Sequence, residues 1–260
     1  MSYPEFFSEN ETILQDNNLK SFSDIWNLDI PWFEEPNRRR EQFSGVVRGE
    51  FKDKDGNSVN LFIKRQQDFN NKSISHPFNG TPTFRREFTN LMRLNEAGMK
   101  SVVPIYYGES IDDGHHRAIL ITKELTGYVD AEEFFSSDVD VKLRENVLRE
   151  AAYAIRQINN ENYRHGSFYM KHVFIDTTNE EKPDICFIDF EKLRRQPFQK
   201  KVMLTDISRF IKKSPSLTNK DLESFVNYYL SGPGEDLTKS SLASKLHQLI
   251  KNRVMHDKLF

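Results

Sequence analysis

Arg164-His165-Gly166-Ser167-Phe168-Tyr169-Met170-Lys171-His172-Val173-Phe174-Ile175, followed after a polar connector by Ile185-Cys186-Phe187-Ile188-Asp189-Phe190-Glu191, is the stretch whose reading decides the fold. The apolar runs at 172–175 and 185–188 are too short for helices, and the connector between them contains Pro183. Each reads as a short strand that delivers a polar group at one end, His172 in the first and Asp189 in the second. A carboxylate closing a buried strand is poorly placed for packing and well placed to hold a cation. The same residue type also serves as an ordinary turn or cap, so its meaning depends on what lies upstream.

Upstream, residues 61–64 read as a strand ending in Lys64. Residues 82–98 read as a helix, with Pro82 at its start and Gly98 at its stop. Phe84, Phe88, Leu91 and Leu94 follow the helical period and form one apolar stripe. Glu87 sits beside that stripe. A glutamate against a buried face needs a cationic partner, and Lys64 on the preceding strand is the candidate. Residues 102–108 and 117–125 read as two more strands joined by a turn at Asp112-Asp113-Gly114. Residues 38–51 suit a hairpin, with a second turn at Asp55-Gly56. Gly45 and Gly49 would let a backbone approach phosphates closely, but alone they make a poor phosphate-loop signature and suit a plain hairpin better.

Beyond Thr126-Gly127 the pattern turns helical. Leu143, Val147, Leu148, Ala151, Ala152, Ile155 and Ile158 make a long stripe, and three more helices are expected at 204–211, 222–230 and 242–254. Asp206 is expected at a helix start, accepting hydrogen bonds from the His165-Gly166 backbone. The predicted class is α+β: a small sheet lobe with one helix, then a larger, mainly helical lobe. The domain reading is an N-terminal extension over 1–31, anchored by Trp26 and Trp32, a first lobe over 32–124 and a second over 125–260.

Composition bounds the function. The 260 residues carry a net charge of -2, which argues against a nucleic-acid partner, and 29% charged with 12% aromatic residues is a globular profile. The single cysteine, Cys186, lies in a predicted strand and supports neither a disulfide framework nor a cysteine zinc site. The first ten residues lack the charge-then-apolar pattern of a signal peptide, and no apolar run approaches a membrane span. A cytoplasmic protein is the expectation.

The order of strand lysine, helix glutamate, histidine-led loop and strand-closing aspartate is similar to that of the protein-kinase fold. The local strings Glu34-Glu35-Pro36-Asn37-Arg38-Arg39, Phe43-Ser44-Gly45-Val46, Lys64-Arg65, Pro82-Thr83-Phe84-Arg85-Arg86-Glu87, His165-Gly166-Ser167-Phe168-Tyr169-Met170-Lys171-His172 and Ile188-Asp189-Phe190-Glu191-Lys192-Leu193-Arg194-Arg195 resemble the lipopolysaccharide kinase (Kdo/WaaP-like) family, in its InaA-like branch. They span roughly residues 32–210, and their combined order is more specific than any one string.

The resemblance implies a two-lobed protein-kinase-like fold and an ATP- and Mg²⁺-dependent phosphotransferase acting on a sugar hydroxyl of a cell-envelope glycolipid. Lys64 would hold the nucleotide's α- and β-phosphates, positioned by Glu87, with Gly45 near the phosphates. Asp189 would chelate the Mg²⁺ that bridges them. His172 stands where protein kinases keep a metal-binding asparagine, so it is a second metal candidate, or else a contact to phosphate or to Asp189. The adenine would lie against Glu124 and Leu125, held by backbone groups. Glu191 replaces the glycine of Asp-Phe-Gly, as in aminoglycoside- and choline-type kinases. The cations Lys192, Arg194, Arg195, Lys200 and Lys201 would face a phosphorylated lipopolysaccharide or sugar acceptor, and through them the protein would make a peripheral contact with the inner membrane.

One position departs from the pattern. Ser167 occupies the place of the catalytic aspartate that accepts the proton of the attacking hydroxyl. General-base help is worth about 10² to 10⁴ in rate, whereas phosphoryl transfer depends mainly on positioning and charge stabilisation. Ser167 cannot act as a base near neutral pH without a neighbour of its own; His165 or His172 could deputise if a hydroxyl came within reach, and the base is left unassigned. Two alternatives stand beside the leading reading: a catalytically impaired pseudokinase that binds nucleotide and regulates a partner, and a small-molecule kinase of the aminoglycoside or choline type.

Overall fold

A computed structural model describes residues 5–8, 12–73 and 76–257. The chain divides into two compact units, Met1–Asn95 with Val102–Leu125, and Glu96–Ser101 with Thr126–Phe260.

In the first unit the elements run β1 (Phe6–Phe7), α1 (Ile13–Asp16), α2 (Phe22–Trp26), β2 (Asn37–Arg39), β3 (Gln42–Lys52), β4 (Ser58–Gln67), β5 (Asn70–Ser73), β6 (His76–Pro82), α3 (Thr83–Glu96), β7 (Pro104–Asp112) and β8 (His115–Lys123). Six strands form one sheet in the order β1-β7-β8-β4-β3-β2, antiparallel throughout. The β7–β8 turn is the tight one expected: Asp113 and Gly114 both have positive φ, at 48° and 79°, which matches the twist of the flanking strands. β4 is central, and its alternation sorts its side chains. Leu61, Ile63 and Arg65 are buried on one face, while Phe62 and Lys64 on the other are only partly covered.

The sheet's Leu61–Ile63 face is covered by the stretch expected as an N-terminal extension. Ile13, Leu14, Leu19, Phe22 and Ile25 pack with Val47, Leu61, Ile63, Tyr106, Ile119 and Ile121 in one apolar core. Arg65 fastens this cover: its guanidinium donates to the Trp26 and Leu28 carbonyls at 2.9 and 3.0 Å and lies 5.4 Å from the Trp32 ring centroid. Residues 1–4 and 9–11 of the extension lie outside the described residues. The sequence reading missed the β5–β6 hairpin, because residues 70–82 are polar and lack the alternation that marks a half-buried strand.

In the second unit come β9 (Val129–Asp130), α4 (Ala131–Ser136), α5 (Val141–Asn160), β10 (Tyr163–Arg164), a 3-10 turn (Met170–His172), β11 (Val173–Asp176), β12 (Asp184–Phe187), a second 3-10 turn (Phe190–Lys192), β13 (Arg194–Arg195), α6 (Gln199–Lys212), α7 (Asn219–Ser231) and α8 (Ser241–Asp257). Asp140 caps α5 by accepting from the Lys142 and Leu143 amides. The predicted α5 stripe, Val147 through Ile158, is buried. Arg144 of α5 forks onto Asp221, which also closes the capping box of α7 with Thr218. Arg156, 1% exposed, ties α5 to the carbonyls of Tyr229 and Glu235. Among the described residues no helix is long and apolar enough to cross a membrane.

Candidate active site

The first unit supplies an ammonium fixed by a carboxylate. Lys64 lies mid-sheet on β4, opposite Val46 of β3 and Leu120 of β8. Two residues on, and so on the same face, the Gln66 carbonyl accepts from the Thr83 hydroxyl (2.7 Å) and the Phe84 amide (3.0 Å). Gln66 thereby caps α3 and pins its first turn to β4. Glu87 stands four residues beyond Thr83, one turn along the helix, and this brings its Oε1 to 2.5 Å from Lys64 Nζ. The carboxylate side chain is 3% exposed and the lysine 22%. The pairing expected between these two residues is present. The role of Gln66 could have been read from a polar side chain on the lysine's strand face shortly before a helix start.

Gly45 is not part of the β3–β4 turn. That turn spans residues 53–57, with Gly56 at φ +82°, whereas Gly45 sits within β3 opposite Arg65. A Cβ there would fall 2.7 Å from the Trp32 ring and 2.8 Å from Pro36. Packing against Trp32 is therefore enough to require glycine at 45. Glu124 is also engaged. Its amide donates to the Asn60 carbonyl (2.9 Å), and its carboxylate takes both arms of Arg48 at 2.8 Å. The Arg48 hydrogen bond holds the Glu124 carboxyl below its usual range. Leu125 is the last residue of the first unit. The cavity of about 780 Å³ in this unit, lined by Arg39, Arg40, Asp68 and His115, holds none of the residues expected to bind nucleotide.

The second unit supplies the histidine loop and the aspartate. β11 and β12 are antiparallel with Val173 opposite Phe187, so the residue before β11 and the residues after β12 share one end of the ribbon. The Ile188 amide donates to the His172 carbonyl at 3.2 Å, and Asp189 Oδ2 lies 3.5 Å from His172 Nδ1. The two residues expected to bear on a metal are thus neighbours. His172 Nδ1 also lies 2.7 Å from the Ser167 carbonyl. A carbonyl only accepts, so Nδ1 carries a proton. Asp189 adopts a left-handed backbone with φ 64° and ψ 61°, makes no side-chain cap bond, and its side chain is 30% exposed. Aspartate tolerates this conformation better than most residues. Its carboxylate therefore retains lone pairs for a cation.

Among the described residues no group of three His, Cys, Asp or Glu could hold a metal. Asp189 and His172 would give at most two protein ligands. The Asp189 carboxylate suits a hard cation such as Mg²⁺, which it would hold together with phosphate oxygens, whereas the His172 imidazole is the poorer ligand of the two.

His165 and Ser167 are enclosed. His165 has no exposure and is ringed by Phe168, Phe187 and Phe190, with the Phe190 centroid 4.7 Å away. Its Nδ1 accepts from the Ser167 amide at 3.3 Å. Burial pushes its pKa down to about 4, so the ring is neutral near pH 7. Ser167 is 1% exposed, and its Oγ and His165 Nε2 are buried without a hydrogen-bond partner among the described residues. Neither group is open to an incoming hydroxyl.

The loop around them is fixed by Asp206. The His165 and Gly166 amides donate to its two oxygens at 2.8 and 3.1 Å, and the Asn159 side chain adds a third bond at 3.0 Å. The expected acceptor role is observed. The expected helix-start position is not, because α6 begins at Gln199 and Asp206 lies well inside it. Burial raises the Asp206 pKa, against the pull of its amide donors. Gly166 has φ +79°, and a Cβ there would lie 2.9 Å from Lys192 Cβ. Arg209 donates to the Gly166 carbonyl. Asn159 and Arg209 were invisible in the sequence, since Asn159 bonds Asp206, 47 positions on, and Arg209 bonds Gly166, 43 positions back. Cys186 is buried and its thiol is pushed up to about 12, as suits an inert packing residue.

A sheet unit with a helix-held lysine and a helical unit with an aspartate-ended ribbon define a protein-kinase-like fold. The solved structure of WaaP in complex with acyl carrier protein matches with a TM-score of 0.66, over 96% of this chain and 99% of that one, at 18% identity. The chain belongs to the lipopolysaccharide kinase (Kdo/WaaP) family, whose model matches residues 23–229. Protein InaA of Escherichia coli (strain K12) is 30% identical over 214 residues, covering 80% of this chain and 94% of that protein.

Proposed function

We propose that this protein binds ATP with Mg²⁺ and transfers the γ-phosphoryl group to a sugar hydroxyl of a cell-envelope glycolipid. Family membership supports a kinase-like role on a glycolipid, and the observation that carries the finer reading is the buried Lys64–Glu87 pair. A lysine held by one carboxylate presents its ammonium in a fixed place, which a floppy surface lysine does not. Lys64 then neutralises the α- and β-phosphates. Asp189 takes the metal, with His172 Nε2 turned to metal or phosphate. The metal supplies charge neutralisation at the phosphates. Adenine rests on the backbone at Glu124 and Leu125, through groups other than the Glu124 amide, which is bonded to Asn60.

No carboxylate stands at 167, and the enclosed Ser167 and His165 do not serve as base in this reading. The acceptor's proton leaves late, to a phosphate oxygen or to water, and the reaction runs on positioning and charge alone. A second reading has a specific observation behind it. With Ser167 Oγ buried, a nucleotide-binding protein of very low turnover that regulates a partner is equally well built.

The test is a thermal-shift titration with Mg²⁺-ATP, followed by transfer of radiolabelled phosphate to lipopolysaccharide, Kdo and amino-sugars. The phosphotransferase reading expects stabilisation that Lys64→Ala and Asp189→Ala each abolish, and label in the glycolipid. ATP binding with no label in any acceptor selects the regulatory reading. No stabilisation at millimolar ATP refutes both.

A further inference from the structure

Helix α3 does not rest on the sheet by apolar contact alone. Side chains on the Lys64 face of the sheet hold its first turns at several points. Gln66 of β4 accepts from Thr83 and Phe84, Lys64 bonds Glu87, and the Tyr107 ring of β7 stacks on Phe88 with centroids 4.6 Å apart. A fourth hold is Arg85, whose guanidinium forks onto both carboxylate oxygens of Glu109 on β7.

Glu109 is 2% exposed and takes more than the fork. The Tyr107 hydroxyl donates to its Oε1, and His116 Nε2 of β8 lies 2.7 Å from its Oε2. A carboxylate only accepts, so that nitrogen carries a proton. Burial pushes the Glu109 carboxyl up, but the bonds from His116, Arg85 and Tyr107 outweigh it and bring it down to about 2. His116 is itself fixed beside the end of β4. Its amide donates to the Asp68 carboxylate at 2.8 Å, and its carbonyl accepts from the Asp68 amide at 2.8 Å. One buried carboxylate thus joins β7, β8 and α3.

Stability alone does not call for such a cluster, since apolar side chains of similar volume fill buried positions as well or better. What a fork adds is direction, because two parallel bonds fix the orientation of the guanidinium plane as well as its distance. Direction matters for Glu87. It lies two residues beyond Arg85, about 200° around the helix, so any rotation of α3 moves both side chains together. A turn of about 20° swings a carboxylate at about 5–6 Å from the axis through about 2 Å, enough to part it from Lys64. Stacked rings slide over one another at little cost, so the Phe88–Tyr107 contact does not oppose such a turn.

We propose that Glu109, acting through Arg85, is the positioning residue of the Lys64–Glu87 pair: it sets the rotation of α3 and with it the place of the lysine ammonium. The inference rests on the reading of Lys64 as the lysine that meets nucleotide phosphates.

The experiment has one arm without nucleotide and one with it. In the first, the double-variant cycle of Lys64→Met and Glu87→Gln is measured by urea melts in the parent and again in an Arg85→Met background, where the coupling should fall to less than half. In the second, Mg²⁺-ATP is titrated calorimetrically. Arg85→Met should weaken binding about tenfold, the worth of one charged hydrogen bond. Arg85→Lys, which keeps one bond to Glu109, should weaken it about threefold. Arg144→Met is the control. It breaks the Arg144–Asp221 fork in the second unit and should lower the melting temperature while the coupling and the ATP affinity stay at the parent's values. Should Arg85→Met not fold, Arg85→Lys carries both measurements, with a smaller fall expected in each. Unchanged coupling and affinity in the Arg85 variants overturn the proposal. So do equal losses in Arg85→Met and Arg144→Met, which would reduce the fork to a general stabiliser. A parent that binds no ATP refutes the nucleotide reading instead, and the coupling arm then still decides whether the fork sets the pair.

Discussion

Replacing Glu87 by glutamine removes one charge from the Lys64–Glu87 pair and leaves the shape unchanged. The amide oxygen can still accept from Lys64 Nζ, so the perturbation is electrostatic. Stranding one member of a buried pair costs about 3–5 kcal/mol. Here Lys64 keeps 22% exposure against 3% for Glu87, so the stranded ammonium recovers part of its hydration. About 2 kcal/mol is the expected loss for Glu87→Gln, or roughly 8 °C in the melting temperature of the first unit. Lys64→Met strands the deeper partner and should cost more, about 3 kcal/mol at pH 7. Its cost should shrink as pH falls. A buried carboxylate without its cation has a folded pKa above the unfolded value, so the folded variant takes up a proton first and gains relative stability on acidification. The double variant Lys64→Met with Glu87→Gln should cost less than the sum of the singles, with a coupling of about 2 kcal/mol. Urea melts of the four proteins at pH 7 and pH 5 supply the cycle. Additive singles, or Glu87→Gln within about 0.5 kcal/mol of the parent, would mean that the pair is not held together in solution. The nucleotide reading would then lose its main support.

Three further outcomes are expected. Between about pH 6.5 and 4 the unfolded chain binds a proton at residue 165 that the folded chain refuses, because burial holds His165 down to about 4. Stability should therefore fall by about 3 kcal/mol across that window as pH drops, offset in part by Asp206, whose raised pKa works in the opposite sense; in His165→Gln, chemical denaturation at stepped pH should show a flatter slope. Asp206→Ala leaves the His165 and Gly166 amides without their acceptor and should cost about 2–4 kcal/mol, read as an early melting transition, while Asp206→Asn retains part of the stability. Asp189→Asn should leave the ATP-free melting temperature within about 2 °C, since its carboxylate caps nothing, and should remove the Mg²⁺-dependent part of any ATP stabilisation; a large loss without ligand would make Asp189 a structural residue.

How far the sequence could be read depended on whether an interaction is local. The β11–β12 ribbon was legible because its two apolar runs are short and flanked by polar residues, and the register then obliges His172 and Asp189 to meet. The Lys64–Glu87 pair was legible for a related reason: a half-buried glutamate demands a cation, and the preceding strand offered one. Gly45 stayed open because a glycine in a strand marks a close approach without saying of what, and Trp32 supplies one such approach. Asp206 was assigned the right donors and the wrong place, since a carboxylate that binds two loop amides looks the same from sequence at a helix start or inside a helix. Asn159 and Arg209 escaped because their partners lie across the fold, and Gln66 was passed over because Thr83 and Phe84 follow only after the β5–β6 hairpin.

The enclosure of Ser167 bears on the proposal that this position lacks the proton-accepting aspartate. Had the serine hydroxyl faced outward, restoring aspartate would be expected to restore a base directly. Ser167 is instead 1% exposed beside a neutral, fully buried His165, so an aspartate there must either turn its carboxylate out of the buried site or enter it uncharged. The histidine loop is also held by bonds that ignore the side chain at 167: Asp206 to two amides, Arg209 to the Gly166 carbonyl, and His172 to the Ser167 carbonyl. A loop supported through its backbone can lose its base and keep its shape. On the proposed reading the groups assigned to nucleotide and metal can therefore stay in order with no proton acceptor at 167, and binding and turnover have to be measured separately.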